Sequence, residues 1–205
     1  MNVKEQLEPL LLKVQKPARY IGGELHSIVK DKNTVDFRIA LGFPDTYEIG
    51  MSHLGLKILY DIINADPHCW AERVYTPWTD FEALMRQKGL PLYGLESLDP
   101  LREFDVIGFS LQYELSYTNV LNMLDLSGLN PIAAQRSEDD PVIIAGGPCA
   151  SNPEPLADFI DLFQIGEGEE VMMEMIALYR EMKADGSYTK KDFLRRAAQI
   201  PGIYV

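Results

Sequence analysis

The runs VIGFS and VIIAG, in which apolar side chains follow one another without alternation, mark predicted strands at 105–110 and 141–145. Such runs suit strands covered on both faces, as in a parallel sheet with helices above and below. Short apolar stretches at 35–41, 71–75 and 160–165 complete a predicted set of five strands. Between them apolar positions recur at helical spacing, which predicts helices near 49–64, 78–88, 116–127 and 169–183. Strand, glycine-containing loop and helix, repeated from residue 35 onward, define an α/β chain with a doubly wound, mostly parallel five-stranded sheet.

The two ends follow other patterns. Over residues 3–14, Leu7, Leu10, Leu11 and Val14 recur at helical spacing, and Pro17 ends that helix. The segments ELHSIVKD and TVDFRIAL alternate as strands around the turn-forming Lys32 and Asn33, and they predict a β-hairpin. Residues 1–34 are then a helix-and-hairpin appendage to a main domain at 35–185, because so small a piece cannot bury a core alone. Residues 186–205 hold a last helix, around KKDFLRRAA, and an apolar extended end, IPGIYV. Polar, frayed ends are the usual kind, so a longer parent chain is expected.

Composition narrows the function. With 46% apolar and 24% charged residues among 205, the chain has an ordinary globular make-up. No apolar run approaches the roughly 18–20 residues that span a bilayer, and the amino terminus lacks the apolar block of a secretory signal. A cytoplasmic protein without membrane attachment is expected. A net charge of -12 with no cluster of lysine and arginine argues against nucleic acid as a partner. Cys69 and Cys149 are too far apart for a disulfide framework and cannot alone supply a four-ligand metal site. They read as free thiols packed as small apolar groups.

In an open parallel sheet, ligands bind where loops leave the carboxyl ends of the strands. Four loops qualify: GFPDTYEIG, SLQYE, GGPCASNPEP and GEGEE. Their glycines let a ligand approach the backbone closely. GEGEE follows a strand and opens a helix, but it lacks the third glycine of a dinucleotide fingerprint. Glu167, Glu169 and Glu170 stand where a pyrophosphate would bind, which disfavours a nicotinamide or flavin oxidoreductase. Those carboxylates suit the helix amino terminus itself.

The first loop, Asp45-x-Tyr47-x-x-Gly50, resembles the D-x-H-x-x-G signature of cobalamin-binding Rossmann-like domains, with tyrosine in place of the cobalt-ligating histidine. Ser110-Leu111 resembles the start of the family's S-x-L/S-x-T motif, with Gln112 departing at its third position, and Gly146-Gly147 follows the fourth strand as in that family. The segment from VIIAGGPCASNPEP through GEGEE, with Gly166 and Gly168, is similar to the cobalamin-binding-type domain that precedes the barrel of many radical S-adenosylmethionine (SAM) enzymes. FPDTYEIGMSHLGLKILYDIIN and IPGIYV resemble one branch of large radical SAM proteins in particular. The likeness runs over roughly residues 20 to 205. It implies a Rossmann or flavodoxin-like fold and an N-terminal domain that catalyses nothing alone. It also implies cobalamin as cofactor, held around Asp45, Tyr47, Gly50, Ser110, Leu111, Gly146, Gly147, Gly166 and Gly168. The implied partner is a C-terminal barrel of the same polypeptide, with a 4Fe-4S cluster and SAM, and the implied reaction is methyl transfer. The barrel's C-x-x-x-C-x-x-C motif is absent from this chain.

In that family the dimethylbenzimidazole tail leaves the cobalt and slides between sheet and helices. Gly146, Gly147 and the small Ser110 would leave such a channel open, and Ser110 would offer a hydrogen bond to the tail nitrogen. Tyr47 offers a phenol with an ordinary pKa near 10, which must lose its proton before binding a metal well. Cobalt would then take no lower ligand from the protein. His53 is out of register for the motif and is expected to face solvent or make a polar contact, while Cys149 lies either within reach of the pocket or idle. Another reading gives the same loop a purely architectural role, with Asp45 capping the helix, Pro44 stiffening the approach and Gly50 and Gly55 allowing close packing. The domain would then be a cofactor-free docking module for the barrel or its substrate, its pocket filled by side chains.

Overall fold

The computed structural model describes residues 3–205. Five parallel strands form the sheet: β1 (Phe37–Phe43), β2 (Cys69–Tyr75), β3 (Val106–Ser110), β4 (Val142–Gly146) and β5 (Leu162–Gln164). Their order is β2-β1-β3-β4-β5, and a short sixth strand, β6 (Ile203–Tyr204), pairs antiparallel with β5. The apolar end IPGIYV thus completes the sheet edge, which is one strand wider than the pattern predicts. All seven residues of β1 and of β2 are buried, as expected for strands covered on both faces.

The helices are α1 (Val3–Leu11), the single turn α2 (Tyr47–Gly50), α3 (Leu54–Ala65), α4 (Thr79–Lys88), α5 (Tyr117–Leu126), α6 (Gly168–Ala184) and α7 (Lys190–Ala197). The chain leaves β1 in one direction along the sheet and returns past it to β3. Right-handed crossovers therefore put α3 on one face and α4 and α5 on the other. α6 packs beside α3, and α4 is joined to α5 by Arg86, which meets Asp125 at 2.7 Å and Asn122 at 2.6 Å. Phe37, Ile39, Ile107 and Phe163 from the strands and Ile63 and Met123 from the helices are among the largest fully buried side chains. Each contributes about 1.5–3 kcal/mol of burial.

Two expectations need correction. The helix predicted over 49–64 is divided, because His53 interrupts it and caps α3: its Nδ1 accepts the Leu56 amide at 3.1 Å. The predicted hairpin does not form, since residues 24–36 make no strand. The Ile28 amide donates to the Tyr60 hydroxyl at 2.7 Å, and the Ile28 carbonyl accepts from Trp70 Nε1 at 3.0 Å. Lys30 Nζ donates to the carbonyls of Asn64, Asp66 and Cys69 at 2.9, 2.7 and 2.6 Å. This segment is held by the Ile28 backbone and by the Lys30 side chain reaching the end of α3 and the start of β2, not by a ladder.

Buried charges fasten the irregular stretch before β3. Arg38 meets Glu72 at 2.6 Å and Asp99 at 2.9 Å, and Arg73 meets Glu96 at 2.7 Å. Glu72 also accepts from the Ser97 amide and hydroxyl. Among the described residues no helix is long and apolar enough to cross a membrane.

Candidate functional site

A cleft of about 190 Å³ opens at the carboxyl edge of the sheet, between the ends of β3, β4 and β5 and the helices α3 and α6. Its floor is made by Ser110, by Gly146 and Gly147, and by Gln164, with Ser110 directly opposite Gly146 in the register. His53, Leu56 and Leu59 line it from α3, and Gly166, Gly168 and Met172 from the start of α6. A cavity of about 150 Å³ takes up one benzene ring, whereas sites for whole drug-sized ligands run to about 300–1,000 Å³. The enclosed part of the cleft therefore has room for one flat ring system, and the rest of a larger ligand would lie outside its mouth.

The glycines are there for identifiable reasons. Gly147 has φ 97°, and a β-carbon on it would stand 2.8 Å from the Leu111 carbonyl oxygen. Gly166 has φ 99°, which side chains rarely adopt. Gly146 and Gly168 leave space in which an added methyl would meet the Gln164 side chain at 3.1 and 3.3 Å. Ser110 Oγ accepts from Gln112 Nε2 at 2.9 Å, and its hydroxyl proton has no partner among the described residues. Gln112, the departure from the family motif, thus positions the serine.

Of the nine residues singled out in the sequence, Ser110, Gly146, Gly147, Gly166 and Gly168 come together in this cleft. The other four lie elsewhere. Leu111 is buried, and its backbone ties β3 to the loop after β4 by accepting the Cys149 amide and donating to the Gly146 carbonyl. Asp45 binds the Thr46 amide and accepts from the Tyr113 hydroxyl, joining the loops after β1 and β3. That bond raises the Tyr113 phenol above its ordinary value. Tyr47 packs edge-on against Tyr75, with ring centroids 5.7 Å apart, in a small hollow beside Tyr20 and Phe81. Burial, aided by a hydrogen bond with Glu24, pushes its phenol up to about 12. Gly50 faces the Tyr75 ring, which a β-carbon there would overlap.

The mouth is acidic. Glu167 is the N-cap of α6 without a side-chain cap bond, Glu169 and Glu170 occupy its first turn, and Glu167 and Glu169 border the cleft. Carboxylates here complement the helix dipole and repel an anionic ligand. Cys149 is half-buried and outside the cleft lining, whereas Cys69 is buried and its thiol is pushed up to about 11, chiefly by burial. Among the described residues no three histidine, cysteine, aspartate or glutamate side chains gather as a metal site. Sequence reasoning gave His53 a polar contact or a solvent-facing place without setting it in the site, and it did not single out Gln164. The signal for Gln164 was a lone polar residue closing the apolar strand LFQ.

Tested against cobalamin, the cleft divides. Its single-ring volume, its glycine floor and the unspent Ser110 proton fit the base of the nucleotide tail. Among the described residues, neither Tyr47 nor His53 fits as a lower ligand to cobalt. Tyr47 is turned into another hollow and stays a phenol, and the His53 Nδ1 lone pair is occupied by the Leu56 amide.

Residues 55–205 match the family model described as radical SAM proteins, N-terminal, and the chain belongs to that family. It is similar to an uncharacterized protein of Methanocaldococcus jannaschii, with 30% identity over 165 residues, covering 77% of this chain and 31% of the relative. The chain thus spans about a third of the length of the curated relative it matches. No solved structure matches it.

Proposed function

We propose that this domain serves a radical SAM protein by seating the flat base of a cobalamin nucleotide tail in the cleft between β3–β5 and α3 and α6. The observation that carries the reading is that cleft: one ring wide, floored by Gly146 and Gly147, walled by Leu56, Leu59 and Met172, with the Ser110 hydroxyl at its edge. Ser110 donates its proton to a ring nitrogen, held in orientation by Gln112. The apolar walls exclude water from the seated ring. Bound cobalamin would supply methyl-carrier chemistry, with no cobalt ligand from the described residues. The family match supports a partner barrel on the same polypeptide. On this reading that barrel carries an iron–sulfur cluster and SAM, and the protein is set in the cytoplasm.

A second reading is a cofactor-free docking module. The exposed apolar residues Ile49, Leu54 and Leu115 around the same edge favour it. One experiment separates the two. Purified protein is mixed with hydroxocobalamin, desalted, and its visible spectrum read. Retained corrinoid with a base-off spectrum, lost in Ser110→Leu, is the expected result; a colourless protein at high cobalamin concentration refutes the corrinoid reading and leaves the docking one.

A further inference from the structure

Gln164, the last residue of β5, is 6% exposed, and its side-chain Nε2 donates to the carbonyls of Gly166 at 3.0 Å and Glu167 at 2.9 Å. Both partners can only accept, so the amide cannot be turned round. Its oxygen is therefore fixed toward the cleft. Gly146 and Gly168 flank that oxygen, and a methyl on either would crowd it at 3.1 or 3.3 Å. Oε1 makes no hydrogen bond among the described residues and is not one of the sealed-off polar atoms, so it is open to whatever fills the cleft and loses its water when an apolar group seats there.

Two donors without partners among the described residues line the same cleft. His53 Nδ1 accepts the Leu56 amide, so the neutral ring carries its proton on Nε2, and that N–H has no partner among the described residues. The Ser110 hydroxyl proton is the other. The cleft thus presents one acceptor and two donors around a space for one flat ring.

We infer that the cleft selects a flat nitrogen heterocycle bearing its own hydrogen-bond donor, an amino or hydroxyl group, which the Gln164 amide oxygen accepts. This rests on reading the cleft as a base pocket, as proposed above, and departs from that reading in the base it prefers. Dimethylbenzimidazole offers a ring acceptor and two methyl groups, so it would leave Gln164 Oε1 unmatched. Adenine and hydroxybenzimidazole offer acceptor and donor together. The same chemistry is carried by a cobamide tail and by a free nucleoside.

The test titrates purified protein with hydroxocobalamin, adeninylcobamide and hydroxybenzimidazolylcobamide, and separately with adenosine and purine riboside, by equilibrium dialysis. Donor-bearing bases are expected to bind at least about tenfold tighter than their counterparts. The preference should vanish in Gln164→Met and in Gly146→Ala; the second variant crowds Oε1 without touching the Nε2 bonds, so it guards against misfolding in the first. Equal affinity for the three cobamides overturns the inference and leaves the corrinoid reading standing. Adenosine binding with the same Gln164 dependence, without any cobamide binding, upholds the inference and removes the corrinoid reading. Preference surviving in both variants, or no binding of any probe, overturns it.

Discussion

Alanine at position 50 would set a methyl carbon 2.2 Å from Cε1 and 2.3 Å from Cδ1 of Tyr75, and 3.2 Å from the Phe43 β-carbon. Relief requires the ring to retreat by about 1 Å, the kind of shift overpacked cores resist. Tyr75 has little freedom: it is buried, its hydroxyl donates to Met51 Sδ at 3.0 Å, and it takes the edge contact of Tyr47. Overpacking of this sort costs typically 1–3 kcal/mol, and the closeness of two ring carbons puts Gly50→Ala at the upper end, about 3 kcal/mol. In a chain of this size that lowers the melting temperature by about 6–12 °C. Thermal and urea unfolding followed by circular dichroism read it directly. Because the clash lies away from the cleft, ligand retention well below the melting point should stay as in the parent protein. An unchanged melting temperature would refute the packing argument, and wild-type stability with lost corrinoid retention would make Gly50 a ligand contact.

Three further outcomes follow from the same geometry. Glu72 is 0% exposed and accepts from Arg38 and Ser97, so Glu72→Ala leaves the buried Arg38 guanidinium with Asp99 alone as counter-charge and should cost about 3 kcal/mol, the low end for a broken buried pair, in urea unfolding; an unmoved midpoint would contradict this. His53→Ala removes the cap of α3 and should lose about 1 kcal/mol, whereas His53→Asn should stay near the parent, and equal losses in both would contradict the capping role. The Tyr47 phenol, raised by burial from 10.0 to about 12, favours the folded state fully below pH 10 and loses that contribution as pH climbs through about 12. A difference ultraviolet titration of Tyr47→Phe against the parent should therefore lack a transition near pH 12, and a missing transition near pH 10 instead would count against the buried placement.

The parallel sheet was legible because VIGFS and VIIAG must be covered on both faces, and that requirement leaves few folds open. The hairpin misled because alternation reports neither burial nor pairing: Leu25 and Val29 stay exposed, and the segment is held by single bonds to its neighbours. Ile28 and Trp70 satisfy each other through a carbonyl and an indole, and no ladder is needed. Ser110, Gly146, Gly147, Gly166 and Gly168 were visible as residues following strands, since strand ends of a parallel sheet share one edge. The Asp45-Tyr47-Gly50 pattern sits at that edge too, but its tyrosine turns toward β2, and spacing along a chain does not report which way a side chain turns. Gln164 and His53 acquire meaning only from partners: two carbonyls that fix one amide, and one amide that fixes one imidazole.

The claim on which the account turns is that a flat ring enters between the sheet edge and the helices α3 and α6. Backbone amide spectra of isotope-labelled protein, recorded while hydroxocobalamin is added, test this most directly. The account predicts that signals of Ser110, Gly146, Gly166 and Gly168 move together and saturate, while those of Gly89 and Gly128, beyond the ends of α4 and α5, stay fixed. Unmoved cleft signals, or shifts centred on the far helices, would contradict it.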